Sequence, residues 1–263
     1  MELDLSLKGK HALVCGASSG IGRATALGLA AQGASLTVAA RRGALLDALL
    51  PELLEAGAEA AQAVVVDFDE GPSATARLLE IAHGMSPLQI LVNNAGGPGA
   101  GPLIGAPNEA FIQGFQRHVL TSQHLVQGCL EAMTQAGYGR IINIISTSVR
   151  EPIPQLGVSN TIRGAMAGWS KTLARELGPN ITVNNVLPGF TDTERLDALR
   201  EGKARQSGLS AEEVNQRWLA DVPEGRLARP EEIAAAVVFL ASPAAGFIRG
   251  VNLPVDGGRM RCI

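Results

Sequence analysis

Residues 11–33 read HALVCGASSGIGRATALGLAAQG, and they hold the signal that decides the fold. HALVCG (11–16) is apolar enough for a strand. A glycine-rich turn follows, and GIGRATALGLAAQG (20–33) carries a helical pattern ending at Gly33. Gly16, Gly20 and Gly22 stand between the two. Glycine lets the backbone turn tightly and approach a phosphate, and a helix N-terminus favours an anion. The expected cradle is Gly16, Ser18, Ser19, Gly20, Ile21 and Gly22. Its G-x-x-x-G-x-G spacing differs from G-x-G-x-x-G, but the strand–turn–helix setting points to a dinucleotide. Gly16 to Gly20 also fit G-x-S-x-G, the turn that presents a hydrolase nucleophile. That chemistry needs an acid and then a histidine further along, and the last histidine is His124.

Outward from this stretch, strand-like and helical runs alternate. SLTVAA (35–40), AAQAVVVDF (60–68), LQILVNNAG (88–96), GRIINIIS (139–146) and ITVNNVLPG (181–189) continue the strand series. Helical patterns fill 45–57, where Pro51 is expected to disturb the helix, and 72–84, 107–137 and 156–178. The strand runs are almost continuously apolar, as parallel strands covered on both faces are. The alternation predicts an α/β fold: a Rossmann-type doubly wound parallel sheet flanked by helices, in one domain over 1–263. Residues 192–223 have more charge and a weaker rhythm, and read as a helical flap over the substrate.

Composition narrows the partners. The formal net charge is -3 and no basic run stands out, which argues against nucleic acid and anionic membrane surfaces. No apolar run approaches the ~20 residues of a membrane span, and MELDLSLKGK lacks the apolar core of a signal peptide. A cytoplasmic protein is expected. Cys15, Cys129 and Cys262 are isolated and the histidines scattered, so reduced thiols and no metal site are expected.

The end of the second strand selects the nucleotide. A carboxylate there bonds the ribose 2′-hydroxyl, whereas arginine accommodates a 2′-phosphate. Here it reads TVAARRG, with Ala40 at the acidic position and Arg41 and Arg42 following. No carboxylate follows until Asp47. NADP(H) is favoured over NAD(H).

Further motifs come in a fixed order: CGASSGIG, Asp67 after the third strand, NNAG at 93–96, NIIS ending at Ser146, NNVLPGFTDT at 184–193, and RPEEIAAAVVFLAS followed by DGG at 256–258. From about Lys8 to Gly258 the chain resembles the short-chain dehydrogenase/reductase family, and within it the 3-oxoacyl-(acyl-carrier-protein) reductase branch. The resemblance implies that Asp67 and Phe68 border the adenine. It sets Asn93, Ala95 and Gly96 beside a cofactor ribose, where they also support the central strands, and Pro188, Gly189, Thr191 and Thr193 beside the nicotinamide. It further implies a small carbonyl or alcohol substrate and a homotetramer or homodimer, paired through the helices near 107–137 and 156–178. Cys15 departs from the usual threonine.

The larger departure is catalytic. Family members carry a serine, a tyrosine thirteen residues later and a lysine four beyond that, with an asparagine in an earlier helix. Ser146 is in place, but counting on gives Ser159 and Arg163, and His118 aligns with the asparagine. Tyr138, the single tyrosine, precedes the strand ending at Ser146 and so belongs at the opposite edge of the sheet. Serine lacks a useful pKa, and arginine stays charged. His118, with an ordinary pKa near ~6.5, is the candidate acid/base, directly or through water, while Ser146 and Ser159 bind the substrate oxygen. Arg163 is a candidate for a ribose hydroxyl or an anionic substrate. Two readings follow: an NADP(H)-dependent oxidoreductase with an atypical site, or a non-catalytic nucleotide-binding sensor or scaffold.

Overall fold

A computed structural model describes residues 3–262. β1 (His11–Cys15) is buried along its length. Ala12 and Val14 enter one apolar cluster, and Leu13 and Cys15 enter another on the opposite face. Successive strand residues point to opposite faces, so a wholly apolar strand needs helices on both. Six more strands surround it: β2 (Ser35–Ala40), β3 (Ala61–Val65), β4 (Ile90–Asn93), β5 (Gly139–Ile144), β6 (Ile181–Pro188) and β7 (Asn252–Val255). All pair in parallel, in the order β3-β2-β1-β4-β5-β6-β7. Chain order reverses direction between β1 and β4, which opens a crevice at their carboxyl ends.

The helices are α1 (Gly20–Ala30), α2 (Gly43–Ala56), α3 (Pro72–Met85), α4 (Asn108–Phe115), α5 (Thr121–Gln135), α6 (Gly157–Glu176), α7 (Glu194–Ser207), α8 (Ala211–Ala220) and α9 (Pro230–Ala241). Leu29 of α1, Leu49 of α2 and Val237 of α9 share the first cluster. Leu78 of α3, Leu125 and Met133 of α5, and Ala174 of α6 share the second. The doubly wound expectation is met.

Three local expectations differ. Pro51 lies inside an unbroken α2. It sits on the exposed side, and Leu46, Leu49 and Leu53 hold the helix onto the sheet from the other. The continuous pattern over 107–137 divides into α4, a π turn at Gln116–Leu120 and α5. The sequence reading assigned no element to α9 or β7. α9 is apolar nearly all round, and β7 is four residues long and contains Pro254, so neither shows a clear period. Residues 192–223 contain α7 and α8.

Candidate active site

The carboxyl ends of the central strands surround a cleft of about 840 Å³. Its first wall is the turn after β1. Gly16 has φ +63°, and a Cβ there would come within 2.6 Å of the Asn94 carbonyl oxygen. Ser18, Ser19, Gly20 and Ile21 line the cleft at the start of α1. Ser19 makes no side-chain cap and the first turn holds no acid, so the helix presents its amide end to the cleft. Gly22 points away. A Cβ there would lie 2.2 Å from the Gly16 carbonyl oxygen, so Gly22 seats the helix beneath the turn.

The second wall comes from the ends of β2 and β3. Arg41, Arg42, Asp67 and Phe68 all line the cleft. Arg42 donates to the Ser18 hydroxyl at 3.3 Å and to the Ser19 hydroxyl. It also pairs with Glu194 at 2.9 Å. The local sequence showed no carboxylate close to the arginines, but the fold supplies one from the start of α7. Asp67 accepts from the Asp69 amide at 3.0 Å, and Asp69 is the ion partner of Arg117. That pair holds the Asp69 carboxyl below the usual range, chiefly through the hydrogen bond from Arg117.

Along the floor, Asn94, Ala95 and Gly96 border the cleft. The Asn94 amide donates to the carbonyls of Cys15 and Gly16, at 3.2 and 3.3 Å, tying β4 to the glycine turn. Asn93 lies one layer deeper. It donates to Asn143 at 2.8 Å, which donates in turn to Asn185 and Ser170, each at 2.9 Å. Asn93 thus cross-links the strands beneath the cleft instead of facing into it.

Ser146, Ser159 and Arg163 line the cleft at the end of β5 and the start of α6, with Pro188, Gly189 and Thr191 following β6. Thr193 reaches back to the glycine turn, where a Cβ on Gly20 would lie 3.0 Å from its methyl group. Ser146 accepts from the Ser148 amide at 3.0 Å, which leaves its own hydroxyl proton free to donate. Arg163 is 8% exposed and donates to the Ile144 carbonyl at 3.0 Å. Burial first, and then the charge of Arg195, push its pKa down to about 10, so it stays cationic at neutrality.

His118 requires a correction. The π turn places it inward at 3% exposure, in a small side cavity with Asn93, Arg117, Thr121 and Arg163. It does not line the cleft itself. Burial drives its pKa well below 6.5, and the charges of Arg163 and Arg117 push the same way. A neutral, enclosed imidazole is badly placed to hand a proton directly to a ligand in the cleft. Tyr138 lies at the opposite edge of the sheet, where its hydroxyl donates to the Ala241 carbonyl and its ring sits beneath Arg140.

Comparison with known proteins completes the assignment. The family described as enoyl-(acyl carrier protein) reductase matches residues 16–259. A 3-oxoacyl-[acyl-carrier-protein] reductase of Pseudomonas aeruginosa is 35% identical over 257 residues, 97% of this chain and 98% of that one. The chain belongs to the short-chain dehydrogenase/reductase family. Among solved short-chain dehydrogenase/reductase structures, L-sorbose reductase from Gluconobacter frateurii, complexed with NADPH and L-sorbose, superposes with a TM-score of 0.91 at 30% identity, covering 99% of this chain and 100% of that one. A 7α-hydroxysteroid dehydrogenase complexed with NADH superposes with 0.87 at 31% identity, covering 97% and 96%.

Within this family's framework, the sequence reading missed Asn94, Gly97, Arg117, Glu194 and Arg195, all on the cleft. The NNAG motif could have pointed to Asn94. The three charged residues carried no local signal, because only packing brings them to the cleft.

Proposed function

We propose that the protein is an NADP(H)-dependent oxidoreductase that reduces a small carbonyl compound, or oxidises the matching secondary alcohol, through an atypical site. The observation that carries this reading is the meeting of Ser146 and Arg163 at one end of a cleft whose other end is a glycine cradle beside Arg41 and Arg42. The cradle suits a dinucleotide, since Gly16 and Gly20 have positive φ where a side chain would be strained, and the amide end of α1 is open. Arg41 and Arg42 would take a 2′-phosphate. NADPH, when bound, supplies the hydride. The Ser146 hydroxyl orients the substrate oxygen, and the Arg163 cation stabilises negative charge developing on it. With Ser159 in place of a phenol, the proton reaches that oxygen from water. Lost acid/base assistance costs roughly 10²–10⁴-fold, so slow turnover is expected.

The reading is tested by loss of absorbance at 340 nm when NADPH is mixed with ketones, diketones and 3-oxoacyl thioesters. Oxidation that Ser146→Ala abolishes supports it. One observation favours a second reading, a non-catalytic nucleotide sensor or scaffold: His118 is neutral and enclosed, and no histidine, cysteine, tyrosine or lysine lines the cleft among the described residues. Tight NADPH binding without oxidation of any carbonyl would support that one.

A further inference from the structure

We infer that the substrate carries an oxyanion, a carboxylate or a phosphate, held between the guanidinium groups of Arg163 and Arg195. The inference rests on reading the cleft as a carbonyl reductase site and names the class of compound it takes. Five arginines line the cleft: Arg41, Arg42, Arg117, Arg163 and Arg195. Arg117 is neutralised by Asp69 and Arg42 by Glu194. Arg41 stands with Arg42 at the nucleotide end. Arg163 and Arg195 have no carboxylate partner among the described residues.

Their placement fits a bound anion. Arg163 is more than nine-tenths buried, and the Ile144 carbonyl is its one acceptor among the described residues. Arg195, at the start of α7, reaches across to the Pro98 carbonyl at 2.6 Å. Both side chains turn an Nη2 atom toward Gly97. A Cβ on that glycine would lie 3.5 Å from the Arg195 nitrogen and 3.6 Å from the Arg163 nitrogen. Both guanidinium groups therefore approach the cleft lining at Gly97, one from deep in the fold and one from the rim, and Ser146 lines the same cleft. A buried guanidinium with no counter-ion is costly, and its planar fork matches carboxylate and phosphate oxygens. An anionic substrate group removes that cost when it binds, and sets the neighbouring carbonyl against Ser146. The depressed pKa values of both arginines agree with positive charge left uncompensated: burial comes first for each, with the charge of Arg195 acting on Arg163 and that of Arg117 on Arg195.

The experiment is calorimetric titration of the protein, first NADPH-free and then NADPH-saturated, with oxamate and, separately, inorganic phosphate, neither of which can be reduced. Turnover is compared for a 2-oxo acid against its amide, and for dihydroxyacetone phosphate against dihydroxyacetone. We expect one probe to bind, Arg195→Gln to weaken it about tenfold or more, and Arg163→Lys to retain part of what Arg163→Gln loses. Which probe binds distinguishes carboxylate from phosphate. Arg195 lies at the rim, so its variant answers even where Arg163→Gln fails to fold. Binding of a probe without turnover of any carbonyl leaves the anion site standing and removes the reductase reading. Failure of both probes to bind, equal binding by the wild type and Arg195→Gln, or displacement of the probe by NADPH would overturn the inference. The last result would assign the arginine pair to the nucleotide.

Discussion

Ser159 and Arg163 lie four residues apart on α6, on one helical face, and both meet the cleft. That juxtaposition was legible in the sequence, because an unbroken helix converts spacing directly into direction. Restoring a phenol and an amine there should restore assisted proton transfer. The double variant Ser159→Tyr/Arg163→Lys is expected to raise kcat roughly 10²-fold or more, measured as NADPH oxidation with the best carbonyl. A rate no higher than wild type would show that the proton step does not limit turnover. His118 was read from its alignment with the family's asparagine, and the burial that the π turn gives it argues against direct proton transfer, not against a role through water. Its pKa is lowered in the folded chain, so the unfolded chain binds the proton more readily. Stability is therefore full above the unfolded value of ~6.5 and falls as the pH drops below it. His11, also lowered by burial, contributes in the same direction. His118→Asn should lose less stability between pH 7.5 and pH 5 than wild type in urea titrations, the difference isolating His118; identical losses would contradict the assigned burial.

Between elements, the glycine turn and α1 show how closely packing follows from residue type. The 2.2 Å gap at Gly22 leaves no room for a methyl group against the Gly16 backbone. Gly22→Ala should cost about 1–3 kcal/mol in chemical denaturation and weaken nucleotide binding, because the turn and the helix start must separate. Gly22 was assigned to the cradle from its motif, and its actual place beneath the turn depends on how α1 meets β1. The link from α7 to the nucleotide end is a second element-scale feature. Glu194 pairs with Arg42 through one carboxylate oxygen, so that carboxylate and a 2′-phosphate would compete for one guanidinium. Glu194→Gln is expected to tighten NADPH several-fold while leaving NADH nearly unchanged, read by fluorescence titration. Equal effects on both nucleotides would place the 2′-phosphate elsewhere.

At the scale of the whole molecule, a ligand spanning the strand ends from β2 to β6 should stabilise the fold globally. NADPH at about 100 times its Kd should add roughly 2.7 kcal/mol and raise Tm by several degrees, with NADH raising it less at equal concentration. The surface carries a second expectation. Ile104 and Phe247 are fully exposed, and Ile112 and Phe115 on α4 are more than a third exposed. Such side chains suit contact with a second copy of the chain. Phe247→Glu should lower the mass measured by light scattering if that residue lies in the homo-oligomer that the family resemblance implies, and an unchanged mass would remove it from the interface.

The sequence by itself determined the parallel sheet, the alternation of its first six strands with helices and the glycine turn, because apolar periodicity and glycine placement act over a few neighbouring residues. Ser146, Ser159 and Arg163 came from the family resemblance, whose spacing was counted along the strand end and helix that carry them. Tertiary structure alone decided that Glu194 meets Arg42, that Arg195 stands across Gly97 from Arg163, and that His118 is enclosed in a side cavity adjoining the cleft. Each of these depends on how α7 or the π turn packs against segments far away in the chain. Solvent exclusion and charge pairing settle such contacts only once the strands and helices have assembled.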